Sequence, residues 1–398
     1  MPKSALIAFV VLYIVSSAAS FAAFSKRSGS ANAPVSGELG SEGGITIDPS
    51  EPKTEACPLN GMLYTKTEKN IWEKRRPLAI MVENSPEARP HSGLIKADVM
   101  YEAVSEGGVT RFMPVYLCGA AAADVIVAPV RSVRSYFIDW ASEYVDPLFG
   151  HVGGANCSAE KFPDGTSGPC KTDKRAQAIE RLSDIGWRYG SGNDLDQFSV
   201  GAKAYIRNET RLGTPVATEH SVEGSTEKLW KEGVKRGWTN EDLEGKEWTD
   251  AFNAWEFKEE ASTGNRGQVA TISHDFWEGY KLFDARWTYD AATNSYLRFT
   301  GGEPHKDLET GNQLSAKNVV VQKTKELISI DELKHNYYEA VGEGEALIFQ
   351  DGNVIDGYWE KKSRTGRTIF TTKKGEEIKF NPGVIWISIV STNTNVAY

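Results

Sequence analysis

Two acids, Glu102 and Glu106, stand ahead of a glycine pair, Gly107 and Gly108, and Arg111 follows inside a run that is otherwise apolar. Carboxylates near an arginine can pair across a turn, or they can face a bound group. A carboxyl within reach of a histidine can also move protons. His151, just before Gly153 and Gly154, is the histidine placed for that exchange, so Glu102, Glu106 and His151 are the candidate catalytic residues. Arg131 and Arg134 follow the apolar run ADVIVAPV and open a helix-like segment. Guanidinium groups beside the N–H groups of a helix start favour a phosphate or carboxylate. Asn84 and Arg89 follow the apolar run PLAIMVE. With Arg111, Arg131, Arg134, Gly153 and Gly154 they form the candidate binding set, the glycines allowing a ligand close to the backbone. The structural alternative is that these charges pair with one another. Glu106 would then meet Arg111 across the turn, Arg131 would meet Glu83 or Asp98, and His151 would be satisfied beneath a sheet.

Positioning such groups requires strands that end where they stand. From Arg76 to about Gly192, strand-like runs alternate with helix-like ones, a rhythm that predicts an α/β region with a mixed sheet. In that class, loops beyond the carboxyl ends of strands form the ligand crevice. VTRFMPVYL is a strand whose Pro114 points to an edge or a bulge, and ADVMYEAVS is ambiguous between strand and short helix. SVRSYFIDWASEY has helical spacing, and TDKRAQAIERLSDIG predicts a helix capped by Thr172 and stopped by Gly186. STEKLWKEGVKRG predicts a helix from Ser225 to Gly237. From Gln268 onward strand follows strand, with QDGNV and KKGEE as hairpin turns, which predicts a mainly antiparallel β region. The expected division is therefore an α/β domain over 57–240 and a β-rich domain over 241–398.

Net charge is −9, so a chain-wide basic footprint for nucleic acid is missing and none is expected as partner. The apolar run Ala5–Phe24 is long enough to span a bilayer and ends in small residues, so residues 1–24 are expected to be a signal peptide or a membrane anchor. Residues 25–56, rich in Gly, Ser, Pro and acids, are expected to be a disordered linker. Four cysteines in an exported chain point to disulfides; Cys157 and Cys170 bracket a short turn-rich loop that a bridge would close. No Cys-x-x-Cys or His-x-x-x-His spacing supports a metal site. GEGEAL, from Gly342, precedes a strand, which removes a dinucleotide fingerprint. Neither metal nor cofactor is expected. Ser158-x-x-Lys161 lacks the partner motifs of a Ser–Lys nucleophile.

Three stretches of the first region, RPLAIMVENSPEARPHSGLIKADVMYEAVSEGGVTRF, APVRSVRSYFIDWASEY and HVGG, resemble the YerB-like lipoproteins, a bacterial envelope family. So do YLRFTGGEPHKDLETGNQLSAKNVVVQ, GEGEALIFQDGNVIDGYW and NPGVIWISIV in the second. The resemblance implies a layered α/β N-terminal region, a β-rich C-terminal region, and an extracytoplasmic place, membrane-anchored or secreted. Two departures stand out. No cysteine precedes Cys57, where the family carries its lipid. The family's Pro-His-Asn motif is represented only by His220, between Glu219 and Ser221; His220 joins the binding set on that ground. The expected function is binding of an anionic cell-wall or capsule polymer, or of an envelope protein. A hydrolase or transferase acting on glycan or phosphodiester bonds and a structural scaffold are the alternatives. The binding reading expects Arg111, Arg131 and Arg134 to share one water-accessible hollow.

Overall fold

A computed structural model describes residues 47–188 and 191–398, so the expected leader and most of the expected linker lie outside the described residues. The linker's last four residues form strand β1 (Lys53–Ala56), which pairs with β2 (Leu63–Thr65). A Cys57–Cys118 disulfide, 61 residues apart, anchors this corner. Helix α1 (Lys66–Trp72) follows at once, because Thr65 and Glu68 form a reciprocal capping box. Among the described residues no helix is long and apolar enough to cross a membrane.

Strands β3 (Leu78–Ile80), β4 (Val82–Glu83), β5 (Val99–Glu106) and β6 (Val109–Tyr116) come next. The ambiguous ADVMYEAVS is therefore strand, and β5 is buried on both faces, as a near-continuous apolar run in a covered sheet should be. Pro114 corrects the expectation of an edge. β6 lies between β5 on one side and β3 and β4 on the other. Ala79 pairs with Val115 and Val82 with Phe112, so the β3–β4 break falls opposite Pro114, where an N–H is missing from the ladder.

After β7 (Ile126–Val127), helix α2 (Ser135–Ala141) is buried along its whole length, and its Tyr136 hydroxyl donates to the Val104 carbonyl of β5 at 2.6 Å. Strand β8 (Leu148–His151) precedes a hairpin of β9 (Ala159–Lys161) and β10 (Ser167–Cys170), closed by the Cys157–Cys170 disulfide. The helix expected from Thr172 is shorter. Thr172 is spent on the Asn156 carbonyl, Asp173 caps a single 3₁₀ turn, and helix α3 spans only Ala178–Asp184; Gly186, at φ +80°, ends it as expected. Strand β11 (Asp194–Asp196), helix α4 (Gln197–Val200), strands β12 (Tyr205–Arg207) and β13 (Val222–Ser225) and helix α5 (Thr226–Lys235) complete this part. Ser225 caps α5 as expected, accepting from the Lys228 N–H.

The remaining strands are β14 (Thr271–His274), β15 (Ala285–Asp290), β16 (Ser295–Thr300), β17 (Glu303–Pro304), β18 (Ser315–Ala316), β19 (Asn318–Thr324), β20 (Glu326–Leu327), β21 (Tyr337–Tyr338), β22 (Gly342–Gln350), β23 (Asn353–Lys361), β24 (Ile369–Thr372), β25 (Ile385–Ser391) and β26 (Val396–Ala397). β14, β15, β16, β17, β18 and β26 form an antiparallel sheet. The β22–β23 hairpin turns at Asp351-Gly352, both at positive φ, the geometry a two-residue hairpin needs. The large mixed sheet runs β11-β8-β3-β6-β5-β25-β19-β22-β23-β24, with β4 also on β6. β25 is parallel to both β5 and β19, so strands from both expected domains share one sheet. The fold is a mixed α/β architecture with antiparallel sheets in its C-terminal part.

Candidate functional site

β3, β8 and β11 are parallel neighbours, and Asp196 at the end of β11 stands beside His151 at the end of β8. Beyond these carboxyl ends lies a cleft of about 550 Å³. A strap, residues 130–134, forms one wall. Its Val130 N–H donates to Val222 O at 2.8 Å, Arg131 N–H to Met81 O at 2.9 Å and Val133 N–H to Gly153 O at 3.0 Å. The floor is the Gly153-Gly154 stretch. A Cβ at Gly154 would come within 2.6 Å of Val133 Cγ1, so only glycine lets strap and floor approach this closely. The far wall carries Arg188, Phe198, Arg207, Thr218 and Glu219.

Three buried charges and the half-buried Arg188 hold the floor. His151 donates from Nδ1 to the Gly153 carbonyl at 2.8 Å and from Nε2 to Asp194 Oδ1 at 2.7 Å. Two acceptors on two ring nitrogens require the imidazolium. Burial opposes that charge, but Asp194 and Asp196 more than reverse it, so His151 titrates above its ordinary value. Arg188 reaches Asp194 at 2.8 Å and Asp196 at 3.0 Å, and Asp196 also accepts from the Gly153 N–H at 2.9 Å. Two cations and two carboxylates thus neutralise one another and fix both ends of the Gly153 peptide.

Of the expected residues, Arg131, Gly153 and Gly154 line the cleft. Arg131 Nε is 3.2 Å from Glu83 Oε2, the pairing anticipated as the structural alternative, and the His220 ring contacts the same carboxylate oxygen at 2.9 Å. His220 therefore stands just behind the cleft wall formed by Thr218 and Glu219. The expected convergence of Arg111, Arg131 and Arg134 is corrected. Arg111 is buried in β6 and donates to the Ser132 carbonyl at 2.7 Å, clamping the strap from behind. Arg134 forms a two-pronged pair with Glu106 and also donates to Val133 O at 2.9 Å. Burial resists ionisation of Glu106, yet the Arg134 guanidinium prevails and holds its carboxyl down at about 2. Glu106 pairs with Arg134 rather than Arg111, because Arg111 reaches the strap instead.

Glu102, Asn84 and Arg89 lie elsewhere. Glu102 is fully buried and accepts from Arg298 at 2.8 Å, Trp386 at 3.2 Å and Thr110 at 3.1 Å. Asn84 joins Thr110 at 2.7 Å to Arg89 at 2.9 Å, and Arg89 reaches the Leu282 carbonyl at 2.8 Å. These residues form a continuous polar chain toward the antiparallel sheet, with no group free for proton transfer in the cleft. Cys57, Cys118 and Asp98 cluster closely enough to suggest a metal, but both sulfurs are in the disulfide and Asp98 accepts from three backbone N–H groups.

Sequence reasoning missed Arg188, Phe198 and Arg207. A signal existed for the first: Asp194 and Asp196, two apart on one face of a short strand, need a cationic partner once buried. Nothing in YIR or DQFS marks Arg207 or Phe198 as cleft residues.

The family model described as protein of unknown function (DUF3048), N-terminal domain, matches residues 61–198, and the corresponding C-terminal-domain model matches residues 272–387, together more than half of the chain. The Bacillus subtilis protein named "Putative lipoprotein YerB" is 28% identical over 344 residues, covering 86% of this chain and 88% of that one. The crystal structure of the B. subtilis YerB protein aligns with a TM-score of 0.65 at 23% identity, over 87% of this chain and 100% of that chain; the likeness shows the shared fold. The cleft's Arg207 and Glu219 lie between the two matched segments.

Proposed function

The chain belongs to the DUF3048 family, and on that premise we propose that it is an envelope-associated binding protein whose cleft beyond β8 and β11 holds an anionic ligand. The name of the B. subtilis relative supports the location, and the apolar run Ala5–Phe24 would serve as leader or anchor. The observation that carries the binding reading is Arg207. It is exposed in the cleft and donates to the Thr218 carbonyl at 2.9 Å; among the described residues it has no carboxylate within ion-pair distance. A guanidinium held by a neutral carbonyl keeps its full charge for an incoming anion. Arg131 adds a second cation, whose ion-pair partner Glu83 is shared with His220. Anionic cell-wall or capsule polymers are the ligands this reading favours, with an acidic face of an envelope protein as the alternative. Hydrolysis or group transfer is less well served, because Glu102 and His151 are both enclosed and paired away from the cleft.

Thermal-shift titration of the full chain with inorganic phosphate and with polyphosphate tests this. Both should raise the unfolding midpoint by mass action. Arg207→Ala should weaken binding by about ten- to a hundredfold, the value of a charge-assisted hydrogen bond. Unchanged binding in that variant would sink the assignment.

A further inference from the structure

We propose that the Phe198 ring is a stacking platform for a sugar, so that the cleft selects a pyranose bearing a phosphate or carboxylate. The inference rests on the anion-binding reading of the same cleft and adds the class of ligand.

Phe198 is 73% exposed, an unusual state for a large aromatic side chain beside a cleft. Its place is fixed rather than incidental. The Phe198 N–H donates to Asp196 Oδ1 at 3.3 Å, and that carboxylate also holds Arg188 and the Gly153 N–H. The Phe198 backbone, the Arg188 guanidinium and the floor are therefore tied to one buried acid. The ring lies against the floor: a Cβ at Gly153 would stand 3.1 Å from Phe198 Cε2, and Gly153 is at φ +57°. A flat apolar surface beside polar groups suits a ligand with one apolar face and a hydroxylated rim. The C–H face of a pyranose supplies the first. Asn156, Ser132 and Glu219, all on the cleft lining, can meet the hydroxyls of the second. Arg207 and Arg131 would take the anionic substituent. A lipid tail would leave these polar groups unpaired. A bare phosphate would fill a small part of about 550 Å³ and leave Phe198 in water.

The test is isothermal titration of the full chain with four probes: inorganic phosphate, glycerol 1-phosphate, glucose 1-phosphate and glucuronate. The ring-bearing anions should bind about five- to tenfold more tightly than glycerol 1-phosphate, the scale of an aromatic contact. Phe198→Ala should erase that preference while phosphate still binds, and Phe198→Trp should restore it. Equal affinity for cyclic and acyclic phosphates in the unmodified chain overturns the inference, as does a preference that survives in Phe198→Ala. Either result leaves the anion site standing, provided Arg207→Ala still weakens phosphate binding by about ten- to a hundredfold. Absence of binding by all four probes overturns both readings.

Discussion

Glu83 reaches a cleft residue, Arg131, with its buried side chain and the interior with its backbone. Its carboxylate meets Arg131 and His220, while its carbonyl accepts from His91 Nε2 at 2.7 Å. That bond leaves His91 Nδ1 as an acceptor, facing His305 Nε2 at 2.9 Å, and His305 Nδ1 faces the Thr300 hydroxyl at 3.3 Å. One proton per ring satisfies the whole chain, so both histidines are neutral. Burial, helped by Arg89, drives His91 down to about 3. His151 is the opposite case, a buried cation. Its folded value is raised, so its stabilising contribution is complete below about pH 6.5 and is lost as pH rises through the folded value. Urea unfolding between pH 6 and 9 should show that alkaline loss, and His151→Gln, which cannot carry the charge, should remove it. A pH profile unchanged by the substitution would contradict the imidazolium assignment.

At the scale of elements, the cleft is made where short segments press together rather than where long ones end. Gly154→Ala would drive a methyl into Val133 Cγ1, against a strap already fixed by Arg111 and Arg134. The overpacking should cost about 1–3 kcal/mol in denaturant unfolding, and phosphate affinity should fall with it; an unperturbed variant would show that the strap can yield. This also explains what the sequence made legible. Strand and helix types followed from periodicity at β22 and α5, whose apolar patterns match their surroundings, whereas β5 stayed ambiguous because a strand buried on both faces has no alternation to read. The α3 start did not follow, since Thr172 looks like a cap but is occupied by Asn156 and Ser158, just ahead of β9. Among site residues, spacing identified the strap arginines and the glycine floor. It could not tell an arginine that lines the cleft, Arg131, from one that braces it, Arg111, because that distinction depends on which face of β6 the sheet covers. Arg207 and Phe198 come from segments with no pattern of their own.

Across the whole molecule, the buried Glu102–Arg298 pair ties the large sheet to the antiparallel one. Arg298→Met would leave Glu102 uncompensated, at a cost of about 3–5 kcal/mol. Because burial already pushes the Glu102 carboxyl up, the variant should recover stability as pH falls from 7 toward 5 and the acid takes up a proton. Urea midpoints at the two pH values would check this, and a deficit that does not shrink would mean that Glu102 is not the source. The position of β25 has a further consequence. A strand made of residues 385–391 sits between β5 and β19, hydrogen-bonded to both. During synthesis the first three hundred and more residues therefore emerge without the piece that unites them. The nascent polypeptide must wait, its inner edge at β5 unpaired, until residues 385–391 have left the ribosome.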